Sequence, residues 1–354
     1  MNFEVFKSKY ELQPVIEVPN QVDQNPKLTV LVLTYQQAPY IKDCLDGILM
    51  QKTNFSIEII IGEDDSSDGT RKICKEYAEK NPDKIRLFLH NKENNIKINN
   101  RPSPLFNLFY STFTSRGNYV AICEGDDFWT DPQKLQKQVD FMEANPNCVL
   151  CYHPTECVDE KDPLYNHIKH PPNPEKLQLF NIKDYILGEG LGIWTVSVVA
   201  KSESLKTLPN WLFKAPLTDL ALKLYYAYNG EIGYIPGTMA VYRRRTIGSW
   251  SEFSKTFEWQ LHHMESRICT YNLFNSFSEY KYNKEIKSTN KWWKQNCLPE
   301  AYGYANRTER RKLLFNNLDF FLNFRYKGNF SRWLRFLFGN HLISKLKGKY
   351  KKTT

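Results

Sequence analysis

The sequence has no apolar run approaching the roughly 18–20 residues needed to cross a bilayer, so nothing in it reads as a transmembrane helix. Its first residues, Met1-Asn2-Phe3-Glu4-Val5-Phe6-Lys7, lack the apolar core of a signal peptide, and acidic side chains recur among them. The eight cysteines are scattered. Cys148 and Cys151, with His153 and Cys157 nearby, invite a zinc reading, but no second Cys-x-x-Cys follows and the pair sits in an apolar stretch. Buried, reduced thiols are the expectation, as is a cytoplasmic location. Internal repeats and low-complexity tracts are missing too. So is any acidic residue after Asp319, where nine Lys and Arg account for the whole formal charge of +9. The rest of the chain is neutral and offers nucleic acid no basic face, so no nucleic-acid partner is expected.

What is present begins with an ordinary globular composition, 41% hydrophobic and 25% charged residues. The first 125 residues alternate between two patterns. Residues 28–34 (LTVLVLT), 57–62 (IEIIIG), 84–90 and 118–123 read as strands. Residues 40–51, 69–80 and 104–115 read as helices, the second opened by Ser67 and Asp68 as cap candidates. Strands separated by helices imply βαβ crossovers, and runs apolar throughout imply strands covered on both faces. The expected fold is therefore α/β, with a largely parallel central sheet and helices on both sides.

In such a sheet, ligands bind beyond the carboxyl ends of the strands. Two acidic clusters fall there: Glu63-Asp64-Asp65 with Asp68, and Glu124-Gly125-Asp126-Asp127. Three carboxylates within four residues repel one another unless a proton or cation offsets them. A divalent metal is the usual answer, because hard cations take oxygen ligands and share them with phosphate.

Farther along, a helix is expected from Asp131-Pro132 to about residue 145, then strands at 148–152 and 193–200 around a Pro-rich loop at 170–174. A helix at 217–229 and strands at 231–235 and 239–244 follow. Beyond about 251 the chain reads as helical, aromatic and increasingly basic. This gives an N-terminal extension (1–27), a main domain (28–250) and a helical C-terminal region with a basic tail (251–354). The aromatic and basic mixture of residues 330–352 suits an anionic bilayer surface. A packing helix with a solvated end accounts for it equally, so peripheral membrane contact stays open.

These motifs together resemble the inverting GT-A glycosyltransferases of family 2. Thr34-Tyr35-Gln36-Gln37, Leu45-Asp46-Gly47-Ile48-Leu49 and Gln51 look like that family's opening strand and helix. Glu63-Asp64-Asp65-Ser66-Ser67-Asp68-Gly69-Thr70 resembles its Asp-Asp-x-Ser-x-Asp-Gly-Thr signature, and Glu124-Gly125-Asp126-Asp127 its metal-binding Asp-x-Asp. The likeness runs on through Asp131-Pro132, Lys134-Leu135 and Gln138 to Tyr242-Arg243. Gln36-Gln37, Glu63 and Glu124 depart from the family pattern, and Arg245 stands where His is frequent.

The resemblance implies transfer of a sugar from a nucleotide-diphosphate donor to a hydroxyl of a glycan or lipid-linked acceptor, with Mg²⁺ or Mn²⁺ as cofactor and a role in cell-surface polysaccharide synthesis. It assigns Asp126 as the direct metal ligand, with Asp127 and Glu124 assisting. Asp64, Thr34 and Tyr35 would form the nucleotide pocket, Arg243 and Arg245 would face the diphosphate, and Asp219 would activate the acceptor. Simpler roles remain beside these: capping for Asp64 and Asp219, packing for Tyr35, surface pairing for Arg244. A sugar nucleotidyltransferase wants a Gly-rich loop with Arg and Lys after the first strand, and Thr34-Tyr35-Gln36-Gln37-Ala38-Pro39 supplies neither. A binding module that has lost catalysis is the third reading.

Overall fold

A computed structural model describes residues 1–317 apart from 99, 100, 248 and 250, so Trp250 and the basic tail lie outside the described residues. Among the described residues the main sheet has nine strands. Its centre is the parallel block Ile85–Leu89, Ile57–Glu63, Leu28–Thr34 and Tyr119–Glu124. The two middle strands are buried on both faces, as their unbroken apolar runs require. Helices Ile41–Leu49, Thr70–Lys80 and Leu105–Thr114 make the crossovers. Ile41, Cys44, Leu45 and Ile48 supply the buried stripe of the first helix. Gly47 on that helix is dictated by packing, because a Cβ there would come 2.8 Å from the carbonyl oxygen of Trp129.

Register decides where the ends fall. Thr34 pairs with Glu63 and Leu33 with Glu124, so three strands finish level at one edge. At the opposite end, buried Glu58 is satisfied by the Thr29 hydroxyl (2.6 Å), the Arg116 amide (2.6 Å) and the Arg86 guanidinium (3.2 Å). That end is a structural clamp.

Past the parallel block the sheet continues through Val199–Lys201, Cys148–Tyr152, Glu231–Tyr234 and Gln178–Phe180, with antiparallel and parallel neighbours mixed. The strand expected over 193–200 is shorter than the pattern suggested. Thr195–Ser197 form a 3₁₀ turn, and the strand starts only at Val199. The Ser197 hydroxyl and amide both donate to the Trp194 carbonyl (2.7 and 3.0 Å), which closes a local turn where a ladder would otherwise run. A second sheet joins His167–Lys169, Thr155–Asp159, Ala240–Arg244 and Phe128–Trp129. It brings the arginine-rich strand beside Phe128, next to the acidic cluster.

The N-terminal segment is part of this body. Phe6 of helix Phe3–Tyr10 is buried against Phe106 and Phe109, and Ile16–Glu17 pairs with Ile85–Leu89 as an antiparallel edge strand. The described residues form two compact units, residues 1–252 with 269–289, and residues 253–268 with 290–317. In the second unit Met264, Cys297, Leu298, Ala301, Tyr302 and Leu313 form a separate core. No helix among the described residues is long and apolar enough to cross a membrane.

Candidate active site

The Tyr119–Glu124 strand delivers Glu124 to the level edge, and the turn after it folds Asp126 and Asp127 back beside it. One carboxylate oxygen from each lies within 4.8 Å of the others, the metal-competent carboxylate group found among the described residues. Gly125 permits this turn to lie close, since a Cβ there would sit 2.4 Å from Gln37 Oε1 and 2.7 Å from Thr34 Oγ1.

All three carboxyl groups are held above their ordinary range. Burial raises Glu124 to about 7, with the charges of Asp126 and Asp219 adding to it and the Lys223 ammonium partly offsetting them. Burial likewise raises Asp126, against the lowering pull of a hydrogen bond from Thr246. Asp127 is pushed up by burial and then by Asp126 and Glu124. Asp127 Oδ1 accepts the Arg243 amide at 2.8 Å, while its buried Oδ2 has no partner. Such a group, repulsive and incompletely bonded, is what a hard divalent cation relieves.

Asp64 follows the Ile57–Glu63 strand on the same edge, where its amide donates to Thr34 O at 3.0 Å. The side chain is buried, and burial raises it to about 6, a hydrogen bond from Asn95 notwithstanding. Its Oδ1 has no partner, nor have the buried Oγ1 of Thr34, Oε1 of Gln37 and Oδ1 of Asn95. Buried polar atoms are paired in the great majority of cases, so this concentration of unmet acceptors at one strand edge is unusual. Tyr35 is 55% exposed there.

Neighbouring acidic residues are committed elsewhere. Glu63 is fully buried against the Arg71 guanidinium and accepts the Ser66 amide at 2.7 Å. Asp68 accepts from the Thr70 hydroxyl and amide (2.7 and 3.0 Å) and from the Ala38 amide (2.9 Å), so it clamps the first loop. Gln36 and Asp65, both non-glycine, adopt left-handed backbone (φ 54° and 60°), a strain that concentrates at functional loops.

The arginines divide differently from simple strand alternation. Arg243 lies 4.4 Å from the Phe128 ring centroid and 5.3 Å from that of Tyr40, and donates to Asp126 O at 3.1 Å and Asp43 Oδ2 at 2.5 Å. It straps the acidic turn in place. Arg245 leaves the strand with φ 61°, so the two-residue alternation of a strand no longer sets it on the face of Arg243. Its guanidinium is buried in a forked pair with Asp159, Nε lying 2.8 Å from both carboxylate oxygens. Burial alone would raise Asp159, and that pairing outweighs it and holds the carboxyl below its ordinary value. Diphosphate contact by Arg245 would require giving up that pair.

The turn begun by Arg245 sets Thr246, unforeseen in the sequence, with its hydroxyl 2.8 Å from Asp126 Oδ2. Asp219 lies in the first turn of helix Thr218–Asn229, inside the helix and past its cap position, Leu217. It is half exposed and 3.3 Å from the buried Lys223 ammonium, and Glu124 feels the charge of both. Lys223 and Asp159 also escaped the sequence reading. Nothing in their local pattern separates them from ordinary polar residues; the contact arises from tertiary folding.

An open parallel edge carrying a tight acidic turn is the arrangement of the GT-A fold. The chain belongs to the family described as Glycosyl transferase family 2, whose model matches residues 29–248. An uncharacterized protein of Mycobacterium tuberculosis is 35% identical over 224 residues, which is 63% of this chain and 60% of that one. An uncharacterized glycosyltransferase of Methanocaldococcus jannaschii is 29% identical over 184 residues, 52% of this chain and 58% of its own. The chain thus spans about 60% of the length of these relatives. Among solved structures, a Pyrobaculum calidifontis mannosyltransferase bound to GDP-Man and Mn²⁺ superimposes with a TM-score of 0.51 at 17% identity, covering 96% of this chain and 93% of that one.

Proposed function

We propose that the protein is a metal-dependent, inverting glycosyltransferase that moves a sugar from a nucleotide-diphosphate donor to a hydroxyl of a glycan or lipid-linked acceptor, in cell-surface polysaccharide synthesis. One observation carries this reading. The carboxylates of Glu124, Asp126 and Asp127 and the unpartnered Oδ1 of Asp64 stand on the same level strand edge.

The donor set fits a divalent cation: three carboxylates, two of them buried, one with an oxygen unmet. Asp126 is the principal ligand in this reading, with Asp127 and Glu124 assisting. The cation would neutralise the charge that develops on the departing diphosphate. Asp64 Oδ1 accepts an N–H of the nucleotide base, and Thr34 and Tyr35 wall that pocket. Arg243, whose fork already ends at Asp126 O, holds the acidic turn against donor pull. Arg245 acts at one remove, since its pairing with Asp159 shapes the turn that carries Thr246.

Asp219 is the base. In a single displacement the acceptor oxygen bonds to the anomeric carbon as the bond to the diphosphate oxygen breaks, and the acceptor proton passes to Asp219. Attack from the face opposite the leaving group inverts the configuration.

The decisive experiment is a panel of nucleotide-sugars scored by thermal stabilisation, with and without Mn²⁺. Stabilisation by one donor that depends on Mn²⁺, followed by release of its diphosphate, is the expected result. Metal-dependent binding without turnover would mark a module that has lost catalysis, and no response to any donor would overturn the nucleotide-sugar reading itself.

A further inference from the structure

Asp219, the proposed base, has a side chain about half exposed, yet the cation it pairs with is not a surface one. Lys223 follows one turn on in helix Thr218–Asn229 and is buried, as are Leu220, Ala221, Leu224 and Ala227 of the same helix. Its ammonium carries three N–H donors and meets three oxygens: Ile193 O at 3.0 Å, Thr195 Oγ1 at 3.5 Å and Asp219 Oδ2 at 3.3 Å. Of these acceptors Asp219 alone is charged.

The two neutral oxygens lie on or beside a turn that the core holds still. Trp129 is fully buried and gives its indole N–H to Val196 O at 3.0 Å, and the Gln138 amide donates to Ser197 O at 2.8 Å. The Ser197 hydroxyl closes the turn on Trp194 O at 2.7 Å. Position is thus passed from the core to the turn, from the turn to the Lys223 ammonium, and from the ammonium to the Asp219 carboxylate. The same ammonium lowers Glu124, against the raising charges of Asp126 and Asp219, so its field reaches the metal-competent cluster as well as the base.

Stability does not account for such a lysine. An ammonium withdrawn from water suffers a desolvation penalty that its bonds only offset, and an apolar side chain of similar volume generally serves a packed helix as well or better. The other buried lysine among the described residues, Lys134, differs in kind. It donates to the neutral Gln138 Oε1 at 2.7 Å and lies 4.1 Å from the Trp129 ring centroid. Lys223 instead directs its charge at a half-exposed carboxylate. Such a side chain, left to water, samples several rotamers, and a base works only when its oxygen lies within hydrogen-bond reach of the proton it takes.

We propose that Lys223 is the positioning residue of the base: it fixes the Asp219 carboxylate against the rigid 193–197 turn, in the orientation that takes the acceptor's proton. This deepens the glycosyltransferase reading and rests on it.

The test uses the full chain with Mn²⁺ and the donor found in the panel, and follows release of the nucleotide diphosphate with water and simple methyl glycosides as acceptor probes. Lys223→Met keeps the length of the side chain and removes its charge and its donors. It should lower kcat between about tenfold and a hundredfold, the cost of a base displaced by about an ångström, while donor KM stays within about twofold. In urea that variant should be as stable as the wild type or more so. Lys223→Gln, which keeps N–H donors for the turn, should show the same split and guards against misfolding of the first variant. Combination with Asp219→Asn separates positioning from packing: once the base is gone, Lys223→Met should lower kcat by less than about twofold further. An equal further loss in that background, an unchanged kcat, or a rise in donor KM that accounts for the loss would each overturn the proposal. So would loss of the fold in both lysine variants, which would make Lys223 a structural residue. A wild type that turns over no donor, or an Asp219→Asn variant as active as the wild type, would instead fell the reading on which this proposal rests.

Discussion

The Thr246 hydroxyl donates to Asp126 Oδ2 at 2.8 Å, across a separation of 120 residues. That bond orients one oxygen of the proposed metal ligand and leaves the other for the cation. Thr246→Val keeps the shape and removes the donor. The affinity for Mn²⁺ should fall about tenfold, the range seen when partners that orient metal ligands are lost, and Thr246→Ser should restore it. Calorimetric titration with Mn²⁺ alone reads both.

The Arg245–Asp159 pair holds the backbone turn that presents Thr246. Asp159→Asn leaves a buried guanidinium without its counter-charge, which should destabilise the fold by about 3 kcal/mol in urea denaturation. The same variant should also weaken Mn²⁺ binding. Replacing both partners by apolar residues, Asp159→Leu with Arg245→Met, should recover much of the stability and none of the metal affinity. That contrast separates the pair's contribution to folding from its positioning of Thr246.

Glu124 rises from an ordinary 4.5 to about 7, so in the metal-free protein the folded state holds a proton that the unfolded state has released. Stability should therefore fall as pH rises from about 4.5 to about 7, because there the folded chain binds more protons than the unfolded one. Mn²⁺ competes with that proton, so its affinity should climb over the same interval and its presence should flatten or reverse the fall. Melting temperature against pH, with and without Mn²⁺, is the measurement. Glu124→Gln should flatten the metal-free slope, and an unchanged slope in that variant would assign it to other groups.

Much of this was legible in the chain because it is local. The runs 28–34 and 57–62 are buried strands, and their carboxyl ends with Glu124 mark one edge. Periodicity fixes such features over a few residues. What stayed hidden depends on chain reversals. Asp159 reads as part of a polar loop, Glu-Lys-Asp following it, yet it ends a strand that runs parallel to Ala240–Arg244 and meets Arg245. Strand alternation alone would set Arg245 on the face of Arg243, and a single left-handed residue undoes that. The turn at Thr195–Ser197 interrupts an apolar run because side chains from two distant helices, Gln138 and Lys223, take its polar groups.

Asp219 stands in the first turn of its helix, half exposed, with Lys223 one turn on. Asp219→Asn preserves size and removes the ability to accept the acceptor's proton. Turnover should fall by about 10²–10⁴, the usual share of a general base, with donor affinity unchanged. Loss of donor binding in step with turnover would assign Asp219 to the donor pocket, and near-normal turnover would remove it from catalysis.

Asp64 offers the clearest separation of function from stability. Its carboxyl is buried, raised to about 6 and short of a partner at Oδ1. At pH 8 the folded state must keep an ionised carboxylate in an enclosed site, at a disadvantage to the unfolded chain. Asp64→Asn removes that charge, so the variant should melt higher than the wild type at pH 8, and the difference should shrink toward pH 5 as Asp64 takes up its proton. The nucleotide should respond in the opposite direction. An amide retains one acceptor oxygen but loses the charge that strengthens a hydrogen bond from a base N–H, and affinity for the nucleotide diphosphate should drop roughly tenfold. A variant that is more stable yet binds more weakly is the signature of a strained binding residue. A variant that is less stable at pH 8 with unchanged affinity would return Asp64 to a structural role and leave the nucleotide edge without its anchor.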